Sequence, residues 1–162
     1  LKHLAPAYKE YNFLQDRGSD EPQYCAPGVD LPMILIMRSK FRSFPEYHTS
    51  LDDLSVVSPS GLQTSFNLHK ECMTLLEANS VYRTKIIGEP QLSRRGLDAQ
   101  LGGHLKPSNV RVMTQNFLMC CDGTMDLITI AEEIGVYGGD LLPVVSSLLE
   151  NDLIANIIPQ NC

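Results

Sequence analysis

The sequence predicts an α/β protein built from two modules. Three observations carry that expectation. A continuous apolar run, Leu31-Pro32-Met33-Ile34-Leu35-Ile36-Met37, stands between turn-forming stretches. A capped helical pattern follows over 58–79. Beyond Arg111 the charge balance changes, and three short helical patterns and a β-piece follow within about 50 residues, an arrangement of helix-turn-helix or winged-helix type.

The elements follow from local chemistry. Residues 1–10 read as the end of a helix and Tyr11 to Leu14 as a short strand. Arg17 to Pro22 and Cys25 to Asp30 are loop and turn by composition. The 31–37 run is short, apolar on both alternations and bounded by turns, so it reads as a buried strand of a sheet covered on both faces, with Pro32 at its start. Residues 38–57 are polar and irregular, a usual place for site residues after a buried strand. Ser58 then caps a helix with Pro59 at its first position. Leu62, Phe66, Met73 and Leu76 form its apolar stripe. Glu77-Ala78-Asn79 ends it, and Val81 to Ile87 reads as extended. Six Gly or Pro residues within 88–108 mark an irregular connector.

In the last third, Ser108 is expected to cap a helix through Val112, Phe117 and Cys121, ending at an Asp122-Gly123 turn. Thr124 or Asp126 starts a second helix with Leu127, Ile130, Ala131 and Ile134, stopped by Gly135. Asp140 starts a third, with Pro143 in its first turn and Leu142, Val145 and Leu149 as its stripe. Leu153 to Ile158 closes as a strand. The two modules are placed at residues 1–107 and 108–162.

The net charge of −6 is unevenly spread: all 13 Lys and Arg lie within residues 1–111, whereas 112–162 holds seven acids and no Lys or Arg. Affinity for a duplex comes largely from neutralising phosphates. The tail is therefore expected to bind no DNA, and its helices are expected to serve a protein partner or a second copy. No apolar run reaches the length of a membrane span, and the five cysteines show no CxxC spacing. All five are read as reduced and structural, which places the protein in the cytoplasm.

The segment Tyr47-His48-Thr49-Ser50 with Asp52 is the strongest site candidate. A neutral imidazole is the commonest protein metal ligand, and a carboxylate nearby can fix its tautomer. A catalytic zinc needs three protein ligands and an open position, and His3, His69 and His104 show no paired-ligand spacing with it. His104 in Gly102-Gly103-His104 reads as a loop feature. Asp20 reads as a turn residue or a site-loop residue, and Asp52 and Asp53 as orienting or turn-capping groups.

Together, Arg17-Gly18-Ser19-Asp20-Glu21, Ala26-Pro27-Gly28, Pro45-Glu46-Tyr47-His48-Thr49-Ser50 and Gly88-Glu89-Pro90-Gln91-Leu92 resemble zinc aminopeptidases of the Vibrio aminopeptidase type. The resemblance is closest to a bacterial aminopeptidase-like subfamily with a C-terminal winged helix, linked with polysaccharide biosynthesis. It implies that residues 1–107 are the C-terminal part of a three-layer α/β/α domain and that the chain is a fragment. It implies zinc as cofactor, His48 as a metal ligand, Asp20 and Asp52 as site-loop or supporting residues, and a peptide-like or amide substrate. The family's Ser-Asp-His becomes Ser19-Asp20-Glu21 here. The family's earlier His, bridging Asp, Glu-Glu pair and further Asp have no counterpart in this chain, so the general base is expected upstream. The alternative is a non-catalytic peptidase-like scaffold.

Overall fold

The computed structural model describes residues 1–18, 20–95, 97 and 107–157. The chain divides into two compact units, Leu1–Lys70 and Glu71–Cys162, with the division inside one long helix.

The first unit holds two single-turn helices, α1 (Phe13–Asp16) and α2 (Glu21–Tyr24), and the first part of α3 (Pro59–Glu77). Three expectations are corrected here. Residues 1–10 form turns and irregular backbone rather than a helix end, and Tyr11 to Leu14 leads into α1 rather than a strand. Asn12 explains the difference, because its side-chain oxygen accepts the Leu14 N–H at 2.9 Å and starts a helical turn. The 31–37 run is neither a strand nor buried: Ile34 is 77% exposed, and Leu31 and Leu35 are also open. A strand needs a neighbour to accept and donate its ladder bonds. In the first unit, no described segment offers one.

The start of α3 agrees with its capping chemistry. Ser58 Oγ accepts the Gly61 N–H at 3.1 Å, and Pro59 occupies the first helical position. Its expected apolar stripe faces outward instead. Leu62 and Phe66 are each 62% exposed, and Met73 and Leu76 are exposed as well. The more sheltered face is Ser65, Leu68, Cys72 and Leu75, about one residue out of phase with the expected one.

The second unit is built around a three-stranded antiparallel sheet in the order β2-β1-β3. Strand β1 (Val81–Thr84) is central and pairs with β2 (Asp122–Asp126) and β3 (Ile154–Ile157). Helices α4 (Pro107–Cys120), α5 (Leu127–Ile134) and α6 (Gly138–Glu150) complete it. A short 3₁₀ turn covers Leu92–Arg95.

Several ends follow from single residues. Asp126 caps α5 by accepting the Thr129 N–H at 2.8 Å. Gly135 ends the helix at φ 74°, a left-handed conformation glycine adopts without steric cost, and its N–H closes on the last carbonyls. Asn79 links the end of α3 to this cap: its Nδ2 donates to Asp126 at 3.0 Å and its Oδ1 accepts the Ile128 N–H at 3.0 Å. Thr124 and the Asp122-Gly123 pair, expected at a helix start and a turn, belong to β2. Gly123 is required there. Its φ is 92°, and a Cβ would come within 2.6 Å of Arg83 Nε, the atom that donates to the Asp122 carbonyl.

Helix α6 begins two residues earlier than expected, so Pro143 lies inside it rather than in its first turn. Near the start of a helix that removes one ladder bond, the one to Gly139. The buried face is Leu141, Val144, Val145 and Leu148, whereas Leu149 is exposed. These side chains meet Phe117, Leu127, Ile130, Leu153 and Ile154 in one core. Tyr82 of β1 joins it 6.1 Å from the Phe117 ring, and its hydroxyl donates to the Ala78 carbonyl at 3.2 Å. Cys121 lies just beyond α4 and is fully buried, so desolvation pushes its thiol up to about 12. The described cysteines are all free thiols; Cys162 lies outside the described residues.

Candidate functional site

The candidate site is the turn that carries His48. Phe44, Tyr47 and His48 are brought together by short-range hydrogen bonds. The Tyr47 N–H donates to the Phe44 carbonyl at 3.3 Å and the Thr49 N–H to the Glu46 carbonyl at 3.0 Å. Thr49 Oγ1 donates to that same carbonyl at 2.8 Å and accepts the Leu51 N–H at 3.2 Å. These bonds hold His48 at φ 58°, the left-handed region in which a non-glycine residue is uncommon. Observed backbone outliers of this kind cluster at functional sites.

The ring environment is aromatic. Tyr47 packs 5.7 Å from Phe44, edge to face, and 6.4 Å from Phe41. The imidazole of His48 lies 4.1 Å from the Tyr47 ring and remains exposed. The turn therefore presents one imidazole to solvent on an aromatic base.

The other candidates lie around it without converging. Asp52 is exposed, its backbone N–H donates to the Thr49 carbonyl at 3.2 Å, and no hydrogen bond or ion pair joins its carboxylate to His48 among the described residues. Asp53 instead accepts the Ser55 N–H at 2.8 Å, and its bonding to Ser55 holds the carboxyl below its ordinary value. Asp20 is exposed and precedes α2. Ser19 and the Gly102-Gly103-His104 turn lie outside the described residues. His69 sits on exposed α3, with Nδ1 2.7 Å from the Ser65 carbonyl.

A zinc ion can be tested against these donors. Among the described residues, no three His, Cys, Asp or Glu side chains come together as a metal-holding group. His48 contributes one donor where catalytic zinc needs three, so the residues present do not fit a catalytic zinc by themselves. Two features went unread in the sequence. Glu21 is the one buried side chain described in the first unit, and it accepts the Gly18 N–H at 3.2 Å. The space is so close that a Cβ on Gly18 would meet the Glu21 carboxylate at 2.7 Å. A recess between 15–17 and 40–43 gathers three cations. The first signal was Glu21 standing where a histidine is usual; the second had none, since its residues are over twenty positions apart.

Comparison with known proteins supports the architecture. Residues 1–79 match a family described as a domain of unknown function (DUF4910), and residues 80–156 match the winged helix-turn-helix family. A Clostridium acetobutylicum protein, named for polysaccharide biosynthesis with an aminopeptidase-like domain, is 39% identical over 104 residues. That match covers 64% of this chain and 24% of the relative. A crystal structure described as a peptidase from the same organism superposes with a TM-score of 0.70 at 27% identity, over 86% of this chain and 30% of that one. No helix among the described residues is long and apolar enough to cross a membrane. The chain is thus a relative of aminopeptidase-like proteins that carries a winged helix, and it spans less than a third of the length of either relative.

Proposed function

We propose that the first unit serves as part of a larger, three-layer aminopeptidase-like domain that hydrolyses an N-terminal peptide or related amide bond with zinc. The carrying observation is that this unit holds the site motifs and yet buries no apolar side chain among its described residues. A surface this apolar is unstable in water unless something covers it. In this reading His48 is one metal ligand, and Asp20 and Asp52 support the site loops. The remaining ligands and the general base come from outside these 162 residues.

The chain by itself is then inactive. Purified, it is expected to hold zinc well below one ion per chain and to leave an aminoacyl-nitroanilide reporter intact. Stoichiometric zinc together with hydrolysis that His48→Ala abolishes would refute the reading. A second reading, a non-catalytic scaffold associated with polysaccharide biosynthesis, is favoured by the relative's name. A longer protein containing this chain that binds zinc without hydrolysing any aminoacyl reporter would favour the scaffold.

The winged helix is proposed to bind protein rather than DNA. Helix α6 contains no Lys or Arg and carries Asp140 and Glu150, so it lacks the cations that neutralise phosphates. Fluorescence anisotropy with a labelled duplex at low salt is expected to show no saturable binding at micromolar chain.

A further inference from the structure

Segments 15–17 and 40–43 enclose a recess of about 200 Å³. Its wall carries Arg17, Lys40 and Arg42 against a single carboxylate, Asp16. One cation is already matched, because the Lys40 ammonium pairs with Asp16 and lies 4.5 Å over the Tyr11 ring. The Lys40 carbonyl accepts the Ser43 N–H at 3.1 Å and the Ser43 hydroxyl at 2.5 Å. That pair of bonds closes 40–43 into a tight turn and holds Arg42 at φ 64°. Its guanidinium carbon is 5.9 Å from the Phe41 ring. Neither Arg17 nor Arg42 forms an ion pair among the described residues.

We propose that this recess is an oxyanion subsite, in which Arg17 and Arg42 take a carboxylate or phosphate group of a ligand. Two arginines that line one recess and form no ion pair among the described residues suit that chemistry. Each presents a planar fork of donors that meets an oxyanion in two parallel hydrogen bonds. The strained Arg42 backbone fits a residue placed for a ligand rather than for packing. The recess also adjoins the His48 turn: Phe41 lines it, Phe41 packs on Tyr47 at 6.4 Å, and Tyr47 packs on His48 at 4.1 Å. A bound anion would therefore lie beside a substrate held at His48. That placement rests on the peptidase-like reading, whereas the anion binding does not.

The test is a titration of the metal-free 162-residue chain at low salt, with inorganic phosphate and separately with succinate, followed by the arginine Nε–H resonances. Saturable shifts at Arg17 and Arg42 are expected. Preference for phosphate identifies a phosphorylated ligand and preference for succinate a carboxylate ligand; equal affinity supports a general oxyanion subsite. Arg17→Gln and Arg42→Gln should each weaken the better anion about tenfold, the scale of one lost charge-assisted bond. Arg42→Gly, which suits the left-handed φ, should do the same with the fold unstrained, and Arg94→Gln should change nothing. The proposal is overturned if neither anion shifts the two arginines. It is also overturned if the Arg17 and Arg42 variants bind as the wild type does, or if Arg94→Gln weakens binding equally. Anion binding without any hydrolysis in a longer, zinc-loaded protein would sink the peptidase reading and leave the subsite standing.

Discussion

The two units of this chain differ in how they use apolar residues. Every buried apolar side chain described lies between Tyr82 and Ile154, in the second unit. The first unit has comparable apolar side chains, Phe13, Leu31, Ile34, Leu35, Leu54, Leu62 and Phe66 among them, and buries none that is described. Composition therefore does not separate a unit that closes on itself from one that does not. What separates them is whether elements of complementary period meet. In the second unit β1 is paired on both edges, and apolar side chains from the sheet and from three helices meet in one core. In the first, single-turn helices and irregular backbone offer no sheet edge, and the apolar face of the start of α3 stays open.

The sharpest way to break this contrast is to truncate the second unit's core. Phe117→Ala is expected to cost about 3–5 kcal/mol and Leu127→Ala about 2–5 kcal/mol of unfolding free energy, measured in urea, because each leaves a cavity in a packed core. A loss below about 1 kcal/mol at Phe117 would mean that the second unit is not packed as described.

Thiol reactivity sharpens the same contrast. Cys25 of the first unit is half-buried, whereas Cys121 is buried in the second with its thiol pushed up to about 12. At pH 8 its thiolate is then on the order of one molecule in ten thousand, and the thiolate is the reactive form. A disulfide-exchange reagent should label Cys25 in the native protein at least about a hundredfold faster than Cys121. Mass spectrometry of the labelled peptides reads the ratio. Comparable native rates would show that the second unit opens as readily as the first.

A smaller effect is expected at the α5 cap. Asp126→Ala should cost about 1 kcal/mol, and Asn79→Ala should cost a similar amount by removing both of its bonds. Partial burial raises the Asp126 carboxyl, but hydrogen bonds from Thr129, Asn79 and Ile128 outweigh it and hold the group below its ordinary value. A carboxyl lowered in the folded state stabilises above its unfolded value and loses that contribution as pH falls through the folded one. The second unit should thus weaken below about pH 4. Asp126→Asn should flatten that acid limb, and an unchanged limb in the variant would remove Asp126 from the account.

The smallest effect is expected in the first unit. Ile34→Ala and Leu62→Ala should each change the stability of this chain by no more than about 0.5 kcal/mol, because neither removes a buried contact. In a longer protein that covers these residues, the same substitutions should cost about 2–5 kcal/mol. The difference between those two measurements tests the proposal that the first unit completes a larger domain.

Much of the second unit was legible from its caps. Gly135 and the Leu127-Ile130-Ala131 spacing placed the body and end of α5, because capping acts over three or four positions and needs no tertiary partner. Its start was open between Thr124 and Asp126, and Asp126 is the cap. The α6 stripe was misphased, since Leu141, Val144 and Leu148 are buried in place of Leu142 and Leu149, and its start was set two residues late because Gly138 begins the helix without a side-chain cap. At the candidate site, the His48 turn was legible as a motif. Its left-handed backbone and its seat on Tyr47 were not, since neither follows from residue type.

By itself the sequence determined the helix start at Ser58-Pro59, the helix stop at Gly135, a strand within 153–158 and the charge asymmetry that strips the last third of cations. These depend on bonds between near neighbours or on counting alone. Only the tertiary structure decided that β1 is the centre of the sheet, that α3 turns Leu62 and Phe66 outward, and that 31–37 stays open rather than forming a strand. It also decided that Arg17 and Arg42 share one recess. Burial and pairing are properties of two surfaces meeting, and a pattern along one segment specifies only one of them.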